Sequence, residues 1–571
     1  MAIRRSGGAR SRLLLLVTLA AATPAPAPAT GAAPANPFEE LARVEEARLA
    51  AGVSGVDAAG PLLALFELAA GLEAGRFDPV VERLVSARGG TLAGAADRLL
   101  AARARDWLAR RAEEKGDDAA AAAWRAPLGQ LSRFWVVGPF GDGRSSAEVV
   151  YPPETEVHPP DVALTYVGKE RNVGWRRAEG ALRRGALDLS ALLRPDTQAA
   201  AYAQVFVRVD AAQDVALRLG TPGAVKVWCN GALAYAADRV RGAHFDQDAV
   251  GMRLRAGWNR LLIKTVVTEG AWRVYARLTK PDGGRLAFTE DWAAPGASSP
   301  AGRRRAERTA AVPVEALEPL LRERVRKAPS AEAAARAGVD LGRYLMLVDP
   351  ADRDRKEAAA AFEAAAARSP SVDAWMGLAS VGREADESRR ALERALAVAR
   401  LPLDRARVLA ALGDVARDQH RDELAAQRWR AALEADSRWW PANLSLAAEE
   451  QSAGFLASAL ARLDSLPGDV RAVPLVARER ARLLMALDRR ADAEGLWRAL
   501  YAGARDNVDL LRDLAAAARA RGDGAGAIPL MARAAALRPD LPALTVDWAR
   551  ALEGTGDAPG ARRTLEAEAR Q

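Results

Sequence analysis

A chain of 571 residues, half of them apolar and 27% charged, has the balance of a globular protein with room for two to four domains, and wholesale disorder is excluded. The formal charge of +8 comes almost wholly from arginine. No basic strip interleaved with aromatic residues accompanies it, so nucleic acid is not an expected partner. A single cysteine, Cys229, rules out an intramolecular disulfide.

Residues 1–22 read as a signal peptide. Arg4, Arg5, Arg10 and Arg12 precede an apolar run from Leu13 to Ala22, and Ala20-Ala21-Ala22 offers small residues for cleavage. Prolines at 24, 26, 28 and 34 break the stretch before it reaches the length of a membrane span, and no other candidate span follows. The expected product is exported, periplasmic or extracellular in a bacterium, with its formal charge halved by loss of those four arginines. Residues 23–37 form a Pro/Ala-rich linker.

From 38 to 131 the apolar spacing is helical, as in PLLALFELAAGL, with Gly116-Asp117 as a turn between two helices. This predicts a small helical domain. At Phe134 the period becomes two, and short alternating runs separated by Gly, Pro, Asn or Asp predict an antiparallel β-sandwich over 132–284. Val205, Val207 and Val209 share one face, as do Val215, Leu217 and Leu219. In the last run Trp272, Val274, Ala276 and Leu278 face inward, and Arg273, Tyr275 and Arg277 outward. Asn230-Gly231 is the signal of a two-residue type I′ hairpin. That turn pairs Cys229 with Ala232, Val227 with Ala234 and Val225 with Ala236, which puts the thiol among small apolar core residues and Trp228, Leu233 and Tyr235 on the opposite face.

Residues 285–312 read as a second linker, with Arg303 to Arg305 solvated, and 313–571 as a helical repeat array. Steps of 34 from Ala391 land on Ala425, Ala459, Ala493, Ala527 and Ala561. A second small position recurs at Ala379, Gly413, Ala447, Ala481, Ala515 and Ala549. A larger position takes Trp429, Leu463, Trp497, Met531 and Leu565, with Ala395 small, and a fourth takes Leu378, Leu412, Leu446, Leu514 and Trp548, with Arg480 the exception. Small residues where helices cross and large ones between them are what stacked helix pairs require. These positions resemble the tetratricopeptide repeat family, and Pro370 and Pro539 fall where that family ends its second helix. A weaker unit (Ala358, Phe362, Ala365, Pro370) precedes the six. The last unit has no extra polar helix, so its end is either polar enough alone or docked on something.

FWVVGPF at 134–140, YPPE at 151–154, VKVWCNG at 225–231 and LRAGWNRLLIKTV at 254–266 resemble galactose-binding-like jelly rolls of secreted bacterial proteins. The whole is similar to the N-terminal part of bacterial envelope transglutaminase-like proteins. That resemblance implies architecture and no active site. The expected fold class is therefore multidomain: helical leader, antiparallel jelly-roll sandwich and C-terminal α-solenoid.

Chemistry is sparse in the sequence. A Cys229–His244–Asp246 or Asp248 set would be the catalytic arrangement, but the core position of Cys229 argues against it. His158 and His420 lie in other regions, so no metal-ligand spacing arises, and Asp246 with Asp248 alone does not complete a calcium site. No cofactor is expected. Gly522-Asp523, within Arg-Gly-Asp, reads as a helix–helix turn equivalent to Gly556-Asp557 rather than an adhesion motif. Two binding surfaces remain. Arg417, Arg478, Arg482, Arg512, Arg519 and Arg550 fall on the inner helices and suit a protein or acidic peptide segment, because guanidinium groups grip carboxylates with paired hydrogen bonds. Trp228 and Tyr235 on the hairpin are candidate carbohydrate-binding aromatics. The favoured expectation is a non-enzymatic scaffold or adaptor. The alternative is a carbohydrate-recognition protein acting through its sandwich.

Overall fold

The computed structural model describes residues 36–50, 54–87, 94–156, 160–293, 310–348 and 355–570. The expected signal peptide, nearly all of the expected first linker, His158 and Arg303 to Arg305 lie outside the described residues. Helices α1 (Pro37–Ala50), α2 (Ala59–Leu68), α3 (Asp78–Ala87), α4 (Ala95–Glu114) and α5 (Asp118–Arg125) form the leader. As the sequence predicts, Gly116 turns the chain at φ 76° and Asp117 caps α5 by accepting from the Ala120 amide.

The sandwich comprises β1 (Trp135–Phe140), the one-turn helix α6 (Pro152–Thr155), β2 (Thr165–Val167), β3 (Asn172–Gly174), β4 (Arg176–Arg177), β5 (Leu182–Arg183), β6 (Ala186–Asp188), β7 (Ala199–Val209), β8 (Gln213–Gly220), β9 (Val225–Cys229), β10 (Ala232–Ala237), β11 (Asp248–Leu254), β12 (Gly257–Val267), β13 (Arg273–Thr279) and β14 (Thr289–Asp291). One sheet runs β10-β9-β12-β7-β1-β4 with β14 also on β7, and the other β11-β8-β13-β6-β5. β14 lies past the expected boundary at 284, where Trp292 stacks edge-on to Trp135 and accepts its indole hydrogen bond. Between the sheets lie Val205, Val207, Val209, Val215, Leu217, Leu219, Trp272, Val274, Ala276 and Leu278, the inward set that alternation predicts.

Both outer faces are covered over most of their extent, with Arg208 on one and Asp214 and Arg253 on the other left exposed at one end. The segment carrying α6, β2 and β3 covers the larger sheet with a second aromatic cluster that includes Phe140, Trp175, Tyr202 and Trp228. It is pinned by the buried Lys264 ammonium, which donates to the Ala147 and Val149 carbonyls and to Glu154 at 3.2, 2.6 and 2.8 Å. Over the smaller sheet lies the leader. Tyr275 and Arg277, expected to face solvent, are buried against it, Arg277 paired with Asp246 and donating to the Leu128 carbonyl. Strand alternation reports which side a residue faces, not whether that side is wet.

The array follows: α7 (Leu317–Arg326), α8 (Ala331–Val348) and α9 (Lys356–Arg368), then the pairs α10 (Val372–Val381) with α11 (Ala385–Val398), α12 (Pro402–Asp418) with α13 (Asp422–Ala435), and α14 (Trp440–Ser452) with α15 (Leu456–Asp464). After one-turn α16 (Gly468–Arg471) come α17 (Pro474–Ala486) with α18 (Arg490–Gly503), α19 (Val508–Ala520) with α20 (Gly524–Leu537), and α21 (Pro542–Gly554) with α22 (Ala558–Arg570). Prolines in the first turn open α12, α14, α17 and α21, where no amide partner is lost. All six alanines of the 34-residue register are buried, as are the six small residues of the companion position. Gly413 shows why: a Cβ there would meet the Trp429 ring at 2.5 Å. Arg480, the exception in the large series, pairs with Asp464 instead of packing. Leu565, in the last helix, is 43% exposed. Gly522 and Gly556 turn the chain at φ 81° and 91°, and Asp523 and Asp557 cap the helices that follow, which is the turn role expected of both.

The three parts do not hang as separate beads. Phe38 stacks on Trp439 at 5.2 Å and tilts against Trp440 at 5.3 Å, and Glu40 pairs with Arg438. At the other extreme of the leader, Glu114 accepts from the Asp506 amide. The helical leader is present as expected, and it shares one apolar core with the repeats. The sandwich in turn bridges the ends of the array. Gln247 donates to the Val348 carbonyl at 2.5 Å near its start, while Arg194 reaches the Pro539 carbonyl and the Glu568 carboxylate, both at 2.9 Å, near its finish. The last helix is docked.

Candidate functional site

Four of the six arginines expected in the groove converge on α17 and α19. Arg478 and Arg482, one turn apart, and Arg512 and Arg519, two turns apart, line a cavity of ≈ 250 Å³ with Asp509, Asp513 and Asp547. Asp513 acts as the keystone: Arg478 Nε approaches it at 2.6 Å and Arg482 at 3.3 Å, while Arg478 also reaches Asp509 and Arg482 also reaches Glu479. Burial works against the charge of Arg482, yet Asp513 and Glu479 outweigh it and its pKa is raised. These contacts hold two guanidinium groups in place. Arg512 and Arg519 are exposed and carry no ion pair among the described residues.

The other two are not part of the cavity's lining. Arg417 lies two repeats nearer the start, over the Trp429 ring at 5.5 Å and 3.7 Å from Asp414. Burial raises the Asp414 pKa to about 6 against the pull of Arg417. Arg550, on α21, pairs with Asp547 at 3.5 Å. Of the six arginines, four line one pocket, while Arg417 and Arg550 stand beside Asp414 and Asp547. Along the earlier repeats the chain packs its own leader. There Glu67 on α2 stands 3.5 Å from Arg343. Glu45 on α1, wholly buried, pairs with Arg48, and burial lifts its pKa while Arg48 and Arg343 pull it down. Asp340, Asp373 and Arg407 complete this buried charged cluster. Glu67 was readable as the lone charge in PLLALFELAAGL, but nothing in the sequence says what lies opposite.

The hairpin corrects the carbohydrate pair. Asn230 and Gly231 take φ of 51° and 87°, as a type I′ turn requires, and Ala232 pairs with Cys229. A bulge then follows Leu233, so that Tyr235, not Ala234, pairs with Val227, and Ala237, not Ala236, with Val225. The extra residue turns Tyr235 toward the core, where its hydroxyl donates to Asp248 at 3.0 Å. Trp228 stays on the opposite face but is only 6% exposed beneath the covering segment. The two aromatics share no face.

Cys229 is buried among Val225, Val227, Leu261 and Ile263, and burial pushes its thiol up to about 12. Asp246 is held by Arg277 and Asp248 by Arg241, the latter in a buried pair. His244 is lowered to about 4 by burial and by Arg110. Both carboxylates wanted by the triad or by calcium are thus taken up by arginines, and among the described residues no group of three His, Cys, Asp or Glu side chains is placed to hold a metal. No described helix is long and apolar enough to cross a membrane.

No family model matches the chain, and no curated protein does. Among solved structures it is similar to the APC/C hetero-tetramer Cut9-Hcn1, at 14% identity over 41% of this chain and 45% of that one, with a TM-score of 0.34. It is also similar to Pseudomonas aeruginosa pilF, at 18% identity over 37% of this chain and 90% of that one, TM-score 0.30. Yeast Tom70 matches at 15% identity over 44% and 54%, TM-score 0.34. The chain spans less than half of the Cut9 chain and about half of Tom70. The repeat fold rests on the helix pairs themselves: an antiparallel β-sandwich preceded by helices is followed by a solenoid of antiparallel helix pairs on a 34-residue register.

Proposed function

We propose that the chain is an exported, non-enzymatic scaffold that holds a protein partner through the later repeats, the contact being an acidic segment of that partner on Arg512 and Arg519. One observation carries the reading: the pocket of α17 and α19 is open, with two guanidinium groups fixed by Asp513 and two uncommitted. Export is supported by the basic and apolar segments of residues 4–22. The absence of catalysis is supported by the buried thiol of Cys229 and the arginine-bound Asp246 and Asp248. The sandwich, galactose-binding-like in its motifs, serves as a brace rather than a lectin.

The test is fluorescence anisotropy of the full chain with a labelled Glu/Asp-rich dodecapeptide and its Gln/Asn counterpart. The acidic peptide binds, weakens with salt, and loses at least tenfold in affinity on R512E/R519E. Equal binding of the amide peptide, or indifference to the double reversal, overturns the assignment.

A further inference from the structure

A cavity of ≈ 1150 Å³ opens where leader, sandwich and array meet. Its lining holds five arginines against three carboxylates. Two of the arginines are spent: Arg125 grips Glu113, and Arg533 grips Asp506, each through two nitrogens. The other three, Arg183, Arg184 and Arg285, make no ion pair among the described residues. Arg183 donates to the Ala536 carbonyl at the end of α20, and Arg184, at φ 49° in the tight turn between β5 and β6, donates to the Asp506 carbonyl at 3.1 Å. Arg183 also feels the buried Asp188 at longer range. Each guanidinium has five N–H donors, so these contacts orient the groups without exhausting them. Arg285 is exposed. The neighbouring wall is apolar, formed by Leu182, Leu286, Phe288 and Leu537.

A cluster of guanidinium groups against an apolar wall asks for an anion and an apolar group joined at close range. In a polypeptide the terminal residue alone carries a carboxylate and a side chain on the same carbon. We propose that this junction binds the C-terminus of a protein partner, the terminal carboxylate on Arg183, Arg184 and Arg285 and the last apolar side chain against Leu182, Leu286, Phe288 and Leu537. The site is independent of the pocket on α17 and α19, which has arginines but no comparable apolar wall, and it exists only because three parts of the chain meet.

The experiment measures anisotropy of the full-length protein with a fluorescein-labelled decapeptide ending in Ala-Leu, once with a free carboxylate and once amidated, with oleate as competitor. The free peptide binds, amidation weakens it at least tenfold, and Arg285→Gln, which removes no contact seen in the fold, weakens it about tenfold with an unchanged melting curve. R512E/R519E leaves this binding intact, which separates the outcome from that of the acidic-segment reading. Equal affinity of the amide, indifference to Arg285→Gln, no binding of the free peptide, or binding of oleate in its place each overturns the proposal.

Discussion

Replacing Phe38 by alanine tests whether leader and array are one folding unit. The ring is fully buried, lies within contact range of two indoles, and is so tightly seated on Gly71 that a Cβ there would stand 2.3 Å from it. Phe→Ala in such a core costs about 3–5 kcal/mol through lost burial and the cavity left behind. Two aromatic contacts of ~0.5–1.5 kcal/mol each place this site toward the upper end. Against a typical stability of about 5–15 kcal/mol the loss is large. Urea unfolding followed by tryptophan fluorescence should show a single transition moved to lower denaturant, and hydrogen exchange should rise in α14 as well as in α1. A loss below about 1 kcal/mol, or faster exchange confined to α1–α3 with α12 and α14 still protected, would refute the shared core.

Three further outcomes are expected. Burial pushes the Glu67 carboxyl up to about 7, against the pull of Arg343. The folded chain therefore keeps that proton between pH 4.5 and 7 while the unfolded chain gives it up, and stability from this group falls as pH rises through that window. Glu67→Gln removes the slope, so the variant gains on the wild type between pH 5 and pH 8; solvent over the third of the side chain that stays open holds the gain to about 1–2 kcal/mol. His244 slopes the opposite way below pH 6.5 in both proteins and cancels in the difference; parallel melting curves against pH would count against the assignment. Arg194→Ala strips partners from Glu568 and the Pro539 carbonyl, a loss of about 1–3 kcal/mol local to the joint, read as at least tenfold faster hydrogen exchange in α22; unchanged exchange there means the joint does not hold the helix. Gly413→Ala forces a methyl group into Trp429 and costs ~1–3 kcal/mol despite alanine's better helix propensity; a stabilised variant would show that the pair can spread freely.

Much of the architecture was legible because its causes are local. The 34-residue register needs only a small residue wherever one helix crosses its neighbour, and Ala425 or Gly413 announces that by size alone. Asn230-Gly231 specifies its turn because few other residues accept positive φ twice in succession. The bulge after Leu233 left no such mark, since ALAYAA alternates equally well in either register, and Tyr235 changed sides with it. Nor could periodicity find the partner of an apolar face: α1 was readable as amphipathic through Phe38 and Leu41, but its burial against Trp439 depends on residues some four hundred positions away. Tyr275 and Arg277 were placed on the correct side of their strand and the wrong side of the solvent boundary, for the same reason. The arginines of α17 and α19 were found because they recur at helical spacing. Arg183, Arg184 and Arg285 belong to turns and edges with no period to reveal them.

An open solenoid can gain or lose a unit and merely become longer or shorter. Here the sandwich grasps the chain at Val348 and again at Pro539 and Glu568, so the stack must cover a set distance with a set rotation between those grips. Inserting one more 34-residue pair between α13 and α14 would leave every repeat locally content and still swing α22 off its dock. Repeat number, ordinarily the most negotiable quantity in such a protein, is fixed in this one by a strap.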